Sequence, residues 1–186
     1  MKNEEISSYN NWKSLLLKCQ QCKLHKTRIQ VVIGDGELSS PIILVGEAPG
    51  ADEDKQGIPF IGRSGKLLRK SLTELELINH VYITNIVKCR PPNNRDPERD
   101  ELNACGYYLI NQIKDYIKPK IIVGIGRISS ELLYGKHYIQ KYHHGKIFER
   151  GKYLFMGTYH PAAALRNSDW KNKMIADLTL LKKFIS

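Results

Sequence analysis

The chain has 186 residues, 41% of them hydrophobic in type and 26% charged, with a formal net charge of +10. That length suits one domain with a substantial core, and the composition excludes a disordered chain. No apolar run approaches the ~20 residues of a bilayer span, and the polar, acidic start MKNEEISSYN is unlike a signal peptide, so the expected location is the cytoplasm.

In chain order, residues 4–18 pattern as a short amphipathic helix leading into Cys19-Gln20-Gln21-Cys22. The two-residue spacer lets both thiolates grip one ion, and the remaining cysteines are Cys89 and Cys105. A reducing compartment argues against two structural disulfides. Four thiolates with none spare suit either a zinc site or an iron–sulfur cluster, and four unrelated buried thiols are the plain alternative. PIILVGE (41–47) is short, apolar and β-branched, which predicts a buried strand with Glu47 at its end. A polar, glycine-containing loop follows, and Ser64 is expected to cap a helix through about Leu77. VYITNIV (81–87) alternates into a second strand. In KCRPPNNRDP, adjacent prolines followed by Asn-Asn exclude regular structure. Asp96 as N-cap and Pro97 at the first helical position then predict a helix to about Ile117. KIIVGIG (120–126) and KYLFMGTYH (152–160) read as third and fourth strands, and DWKNKMIADLTLLKKFI closes the chain as a helix. Residues 141–186 hold nine basic and three acidic side chains. This is either a phosphate-facing surface or ordinary solubilising charge, and charge alone leaves both open.

There are no internal repeats, and no linker divides the chain. Strands alternating with helices predict the α/β class, a three-layer α/β/α sandwich around a mostly parallel sheet of about four strands. Sites in such sheets lie beyond the carboxyl ends of the strands, which here carry Glu47, Asn85 and His160. Singly, these are an N-cap acceptor, a turn residue and a loop cap; their shared sheet edge is what points to a site. Gly124-Ile125-Gly126 lacks the third glycine of a dinucleotide fingerprint, and no P-loop or HExxH pattern occurs.

GEAPG (46–50), GIPFIGRSGKLL (57–68), YITNIVKCRPPNNRDP (82–97) and HPAAALR (160–166), together with the four cysteines, resemble the family 4 uracil-DNA glycosylases, the iron–sulfur type. The resemblance is collinear from about Cys19 to Arg166. It implies a single glycosylase domain over residues 1–186, whose N-terminal helix and CxxC segment (about 1–25) are tied to the core by a metal cluster. The implied cofactor is a [4Fe–4S] cluster on Cys19, Cys22, Cys89 and Cys105, with zinc as the alternative. The implied activity is to flip uracil out of DNA and hydrolyse its N-glycosidic bond, leaving an abasic site for base excision repair.

Carried over residue by residue, the backbone of Gly46, Glu47 and Ala48 lines the uracil pocket, and Phe60 stacks on the base. Asn85 reads the O4 and N3–H edge, and His160 bonds O2 as negative charge grows on the departing base. Family 1 relatives orient the water with an Asp at the position of Ala48, which cannot do so here. Glu47 is left to stabilise the oxocarbenium-like sugar, to hold the water, or to act as a structural acceptor. Glu53 and Asn94 are expected to shape the pocket and support the water. Leu165 or Arg166 is expected to fill the gap left by the flipped base, the plainer reading being a helix-opening Ala-Leu run. The implied partner is uracil-containing DNA, met by a monomer away from membranes; a sliding clamp is not legible. Two rival readings are a non-catalytic metal-stabilised nucleic-acid-binding protein and a neighbouring-family glycosylase with broader base specificity.

Overall fold

Five strands, β1 (Ile42–Gly46), β2 (Val81–Asn85), β3 (Ile121–Ile125), β4 (Ile147–Arg150) and β5 (Tyr153–Thr158), form one sheet in the order β2-β1-β3-β5-β4. They belong to a computed structural model that describes residues 3–135 and 137–185. All neighbours run parallel except β4, which returns antiparallel against β5. The four expected strands form, trimmed by one or two residues at their ends. β4 was not foreseen: Ile147-Phe148-Glu149-Arg150 sits half-exposed at the sheet edge and lacks a buried strand's apolar run.

Register decides where the strands end. Gly46 lies opposite Asn85, and Ile125 opposite Thr158. The residues that follow, including Glu47, Gly126 and His160, therefore leave the sheet along one edge. The chain winds from β1 to β2 on one side and reaches β3 on the other, so β1 borders the topological switch point.

Helices cover both faces. On one, α3 (Arg63–Glu74), the single turn α7 (Pro161–Ala164) and α8 (Ser168–Thr179) set Leu68, Leu72, Met174 and Leu178 against Leu44, Ile83, Val123 and Met156. Each such fully buried side chain is worth about 1.5–3 kcal/mol of transfer free energy. On the other face, α4 (Arg99–Asn111), its π-helical continuation Gln112–Ile117, and α5 (Arg127–Tyr134) pack Leu109, Ile113 and Leu133 against Ile43, Val45 and Tyr82. Outside them, α1 (Asn3–Leu17) inserts Trp12 and Leu16 into a smaller cluster with Leu24, Val31, Ile33, Tyr108 and Cys89. Two short helices, α2 (Ala51–Gln56) and α6 (Gln140–His143), lie in the loops. Among the described residues no helix is long and apolar enough to cross a membrane.

Two expected caps are corrected. α3 begins at Arg63 with Gly62 as N-cap, so Ser64 is not the cap. The capping carboxylate comes from α2: Glu53 Oε1 accepts from the backbone N–H of Ile61 and of Gly62, both at 2.9 Å, and Oε2 from that of Gly50 at 3.1 Å. α4 begins at Arg99 with Glu98 as N-cap, leaving Asp96 and Pro97 in the loop. The cause is Glu101, fully buried, which takes the Glu98 N–H at 2.8 Å and pairs with both terminal nitrogens of Arg95 at 2.9 and 2.6 Å. Those bonds hold the 90–98 loop in place and turn Asp96 toward the sheet edge.

Candidate active site

A Cβ placed on Gly46 would lie 2.3 Å from Asn85 Oδ1 and 2.5 Å from a ring carbon of Phe60. Only glycine fits there, so the end of β1 becomes a floor on which an amide and an aromatic ring meet. Asn85 is 2% exposed, and its Oδ1 is buried without a hydrogen-bond donor. Leaving an acceptor in that state costs about 1–3 kcal/mol, which a bound donor would recover. Its main chain is held from behind, where Lys88 Nζ donates to Asn85 O at 2.7 Å, Thr84 Oγ1 at 2.6 Å and Gln112 Oε1 at 2.5 Å.

Phe60 has φ 55°, a left-handed backbone that a bulky residue adopts only when forced. The force is local. Arg69 donates from Nε to Phe60 O at 2.9 Å and from a terminal nitrogen to Pro59 O at 2.7 Å, while the same nitrogen pairs with Asp35. Gly65 backs this turn so closely that a Cβ would fall 2.1 Å from the Phe60 carbonyl carbon.

His160 is the N-cap of α7, and its Nδ1 accepts from the Ala162 N–H at 3.1 Å. An accepting Nδ1 is unprotonated, so the ring proton sits on Nε2. Burial, and then the charge of Arg166, lower its pKa to about 4, so the ring is a neutral donor. Its centroid lies 6.1 Å from that of Phe60.

The Glu47 carboxylate makes no side-chain hydrogen bond among the described residues. Burial, followed by the nearby charge of Asp96, raises its pKa to about 7, with Arg127 pulling the other way.

One cleft of about 530 Å³ brings together Glu47, Ala48, Glu53, Phe60, Asn85, Asn94, His160 and Arg166. Gly46 does not line the cleft but lies beneath the meeting of Asn85 and Phe60. Leu165, 40% exposed, is next in the chain after α7 and does not line the cleft. Glu53 and Asn94 are committed to building the walls: the three backbone donors occupy the first, and Arg90 Nε donates to Oδ1 of the second at 2.7 Å. Asp96 and Ser64, read from sequence as helix caps, line the cleft as well, and Arg127 faces Glu47 from beside it.

The four cysteines are free thiols that line one small cavity, with Leu16, Arg28, Lys88 and Tyr108. Arg28 donates to Cys89 Sγ and the Lys88 N–H to Cys105 Sγ, each at 3.2 Å. Burial pushes the Cys105 thiol up to about 12 and raises those of Cys22 and Cys89. Among the described residues no group of three or more His, Cys, Asp or Glu side chains is gathered tightly enough for a single metal ion. The thiols surround a space and do not meet at a point.

Residues 33–179 match the family model of the uracil DNA glycosylase superfamily. The type-4 uracil-DNA glycosylase of Sulfurisphaera tokodaii is 41% identical over 96% of this chain and 85% of its own length. That of Saccharolobus solfataricus is 44% identical over 91% and 82%, and that of Thermotoga maritima 42% identical over 90% of each chain. The chain belongs to the uracil DNA glycosylase superfamily and, within it, to the type-4 uracil-DNA glycosylases.

The neutral state of His160 has a direct spectroscopic check. At pH 6, where an ordinary histidine is about three-quarters protonated, ¹⁵N NMR should find this ring uncharged with its proton on Nε2. An imidazolium signal for His160 at that pH would contradict the assignment.

Proposed function

We propose that the chain excises uracil from DNA in this cleft and does so as a monomer. The observation that carries the reading is the orphaned Asn85 Oδ1 beside Phe60 and a neutral histidine. A uracil stacked on Phe60 gives its N3–H to Asn85 Oδ1 and accepts from the amide at O4. Cytosine offers an acceptor at N3 and a donor at C4, so both contacts fail, and discrimination built on unpaired buried groups reaches ~10⁴. A purely binding protein has no use for this arrangement.

As the C1′–N1 bond breaks, the electron pair moves onto the base and charge gathers at O2. His160 Nε2–H donates to that oxygen, and a fixed donor of this kind is worth roughly 2.7–4 kcal/mol in the transition state. Because burial keeps the ring neutral, the Nε2 proton is that of an uncharged imidazole, too weak an acid to be given up, and it stays on the ring as the anion forms. Glu47, ionised, faces the cationic sugar, and water adds at C1′ to leave uracil and an abasic site. Ala48 cannot orient that water, which leaves Glu47 and Asp96 as the carboxylates at hand. Leu165 and Arg166, exposed just beyond His160, fill the place the base has left.

Four thiols enclose the cysteine cavity and N–H donors point at two of the sulfurs, a donor set that suits a [4Fe–4S] cluster or zinc alike, and the family resemblance favours the cluster. Such a group supplies a structural clamp here. Cys19 and Cys22 beyond α1, Cys89 on its loop and Cys105 on α4 would hold it, and so would join the N-terminal segment to the core as one domain.

Two outcomes are expected. Uracil-containing oligonucleotides should release free uracil with a kcat/KM that rises with pH to a plateau above about 7, as Glu47 ionises. Glu47→Gln should lack that limb; a wild-type profile flat from about pH 5 to 9 would remove Glu47 from the chemistry. For the clamp, protein purified without oxygen should be brown and carry about four irons per chain. Stripping the metal should expose α1 to proteolysis, and colourless protein with one zinc would contradict the cluster.

A further inference from the structure

A second cavity, of about 730 Å³, adjoins the uracil cleft and shares Glu47, His160, Ala162 and Arg166 with it. The shared His160–Arg166 wall separates the two. On the far side Trp170, 39% exposed, lies stacked on Tyr159 with centroids 5.7 Å apart and planes at 15°. Gln140 lines the same cavity, and both its Oε1 and its Nε2 are buried without a partner. Arg127, Lys141, Arg166 and Lys173 line it as well, against the single acid Glu47. Arg127 and Lys173 already pair with Glu131 and Asp169 on their own helices, whereas Arg166 has no carboxylate partner among the described residues.

An aromatic surface and an orphaned carboxamide repeat two ingredients of the first cleft, and a cationic rim is added. An orphaned amide points to a ligand with both a donor and an acceptor on one edge. An open aromatic face suits a flat ring, and the cations suit phosphate. Resting on the uracil-excision reading, we propose that this cavity is a second nucleobase subsite, which receives the base next to uracil on the same strand. Continuity selects that occupant, since a strand whose uracil fills the first cleft must cross the shared wall. Gln140 then bonds the edge of the neighbouring base while Trp170 stacks on its face. Adenine, with an amino donor beside a ring acceptor, matches the carboxamide best.

The test uses single-stranded oligonucleotides with uracil flanked by adenosine on both sides, or with one flanking base removed as a tetrahydrofuran abasic analogue. For the wild type, loss of the base on one side should lower kcat/KM on the order of tenfold, the size of one stacking contact. Loss on the other side should matter far less. In Trp170→Ala and in Gln140→Ala the ratio between intact and gapped substrates should fall toward one, with melting temperatures confirming that both variants fold. Equal rates on all three substrates for the wild type would overturn the second subsite and leave uracil excision standing, as would a ratio unchanged in both variants. Release of no uracil from any substrate would overturn both.

Discussion

The site depends on one close approach. Because Gly46 carries no side chain, the Asn85 amide and the Phe60 ring can come together over the end of β1. Parallel pairing puts Gly46 opposite Asn85, and Arg69 together with the packing of Gly65 forces Phe60 into its left-handed turn. Any Cβ at Gly46 would drive the two apart. The sheet supplies register, the α3 helix supplies force, and the glycine supplies room.

Two environments then set the charges. His160 spends its Nδ1 on the start of α7, and burial with Arg166 beside it keeps the ring neutral. Glu47, a few residues' width away along the same sheet edge, is buried near another carboxylate and holds its proton up to about pH 7. The proposed division of labour, a neutral donor toward the departing base and an acid ionising near neutrality toward the sugar, rests on this pair of environments. Behind the site, Lys88 joins Asn85 to the cysteine cavity. Its ammonium is driven down to about 7 by burial and pulled back up by Cys105 and Cys89. Three oxygen acceptors around it make that burial tolerable and fix the Asn85 backbone to the same segment that carries Cys89.

The strand pattern and the strand-end rule were enough to read the sandwich from sequence and to bring Glu47, Asn85 and His160 to one edge, because both rest on local apolar runs. What sequence hid was set at long range. Ser64 looked like a cap because a serine before a helix usually is one, yet Glu53 from a different helix holds that turn. Asp96 looked like a cap for the same reason, and Glu101 with Arg95 pushed the helix start past it. β4 lacks periodicity because its edge position asks for none. Trp170 read as an ordinary residue of the closing helix and Gln140 lay in a stretch with no expected element, and only three-dimensional placement gives Gln140 its unpaired amide and Trp170 its open face.

The central claim is that the orphaned Asn85 Oδ1 waits for the N3–H of uracil. The most direct measurement compares single-turnover excision of uracil and of N3-methyluracil from otherwise identical oligonucleotides. Replacing that hydrogen removes the donor without altering the enzyme, and excision should fall by ~10⁴-fold or more. Excision of the methylated base within about tenfold of uracil would contradict the account, since an acceptor that is not needed cannot be what reads the base.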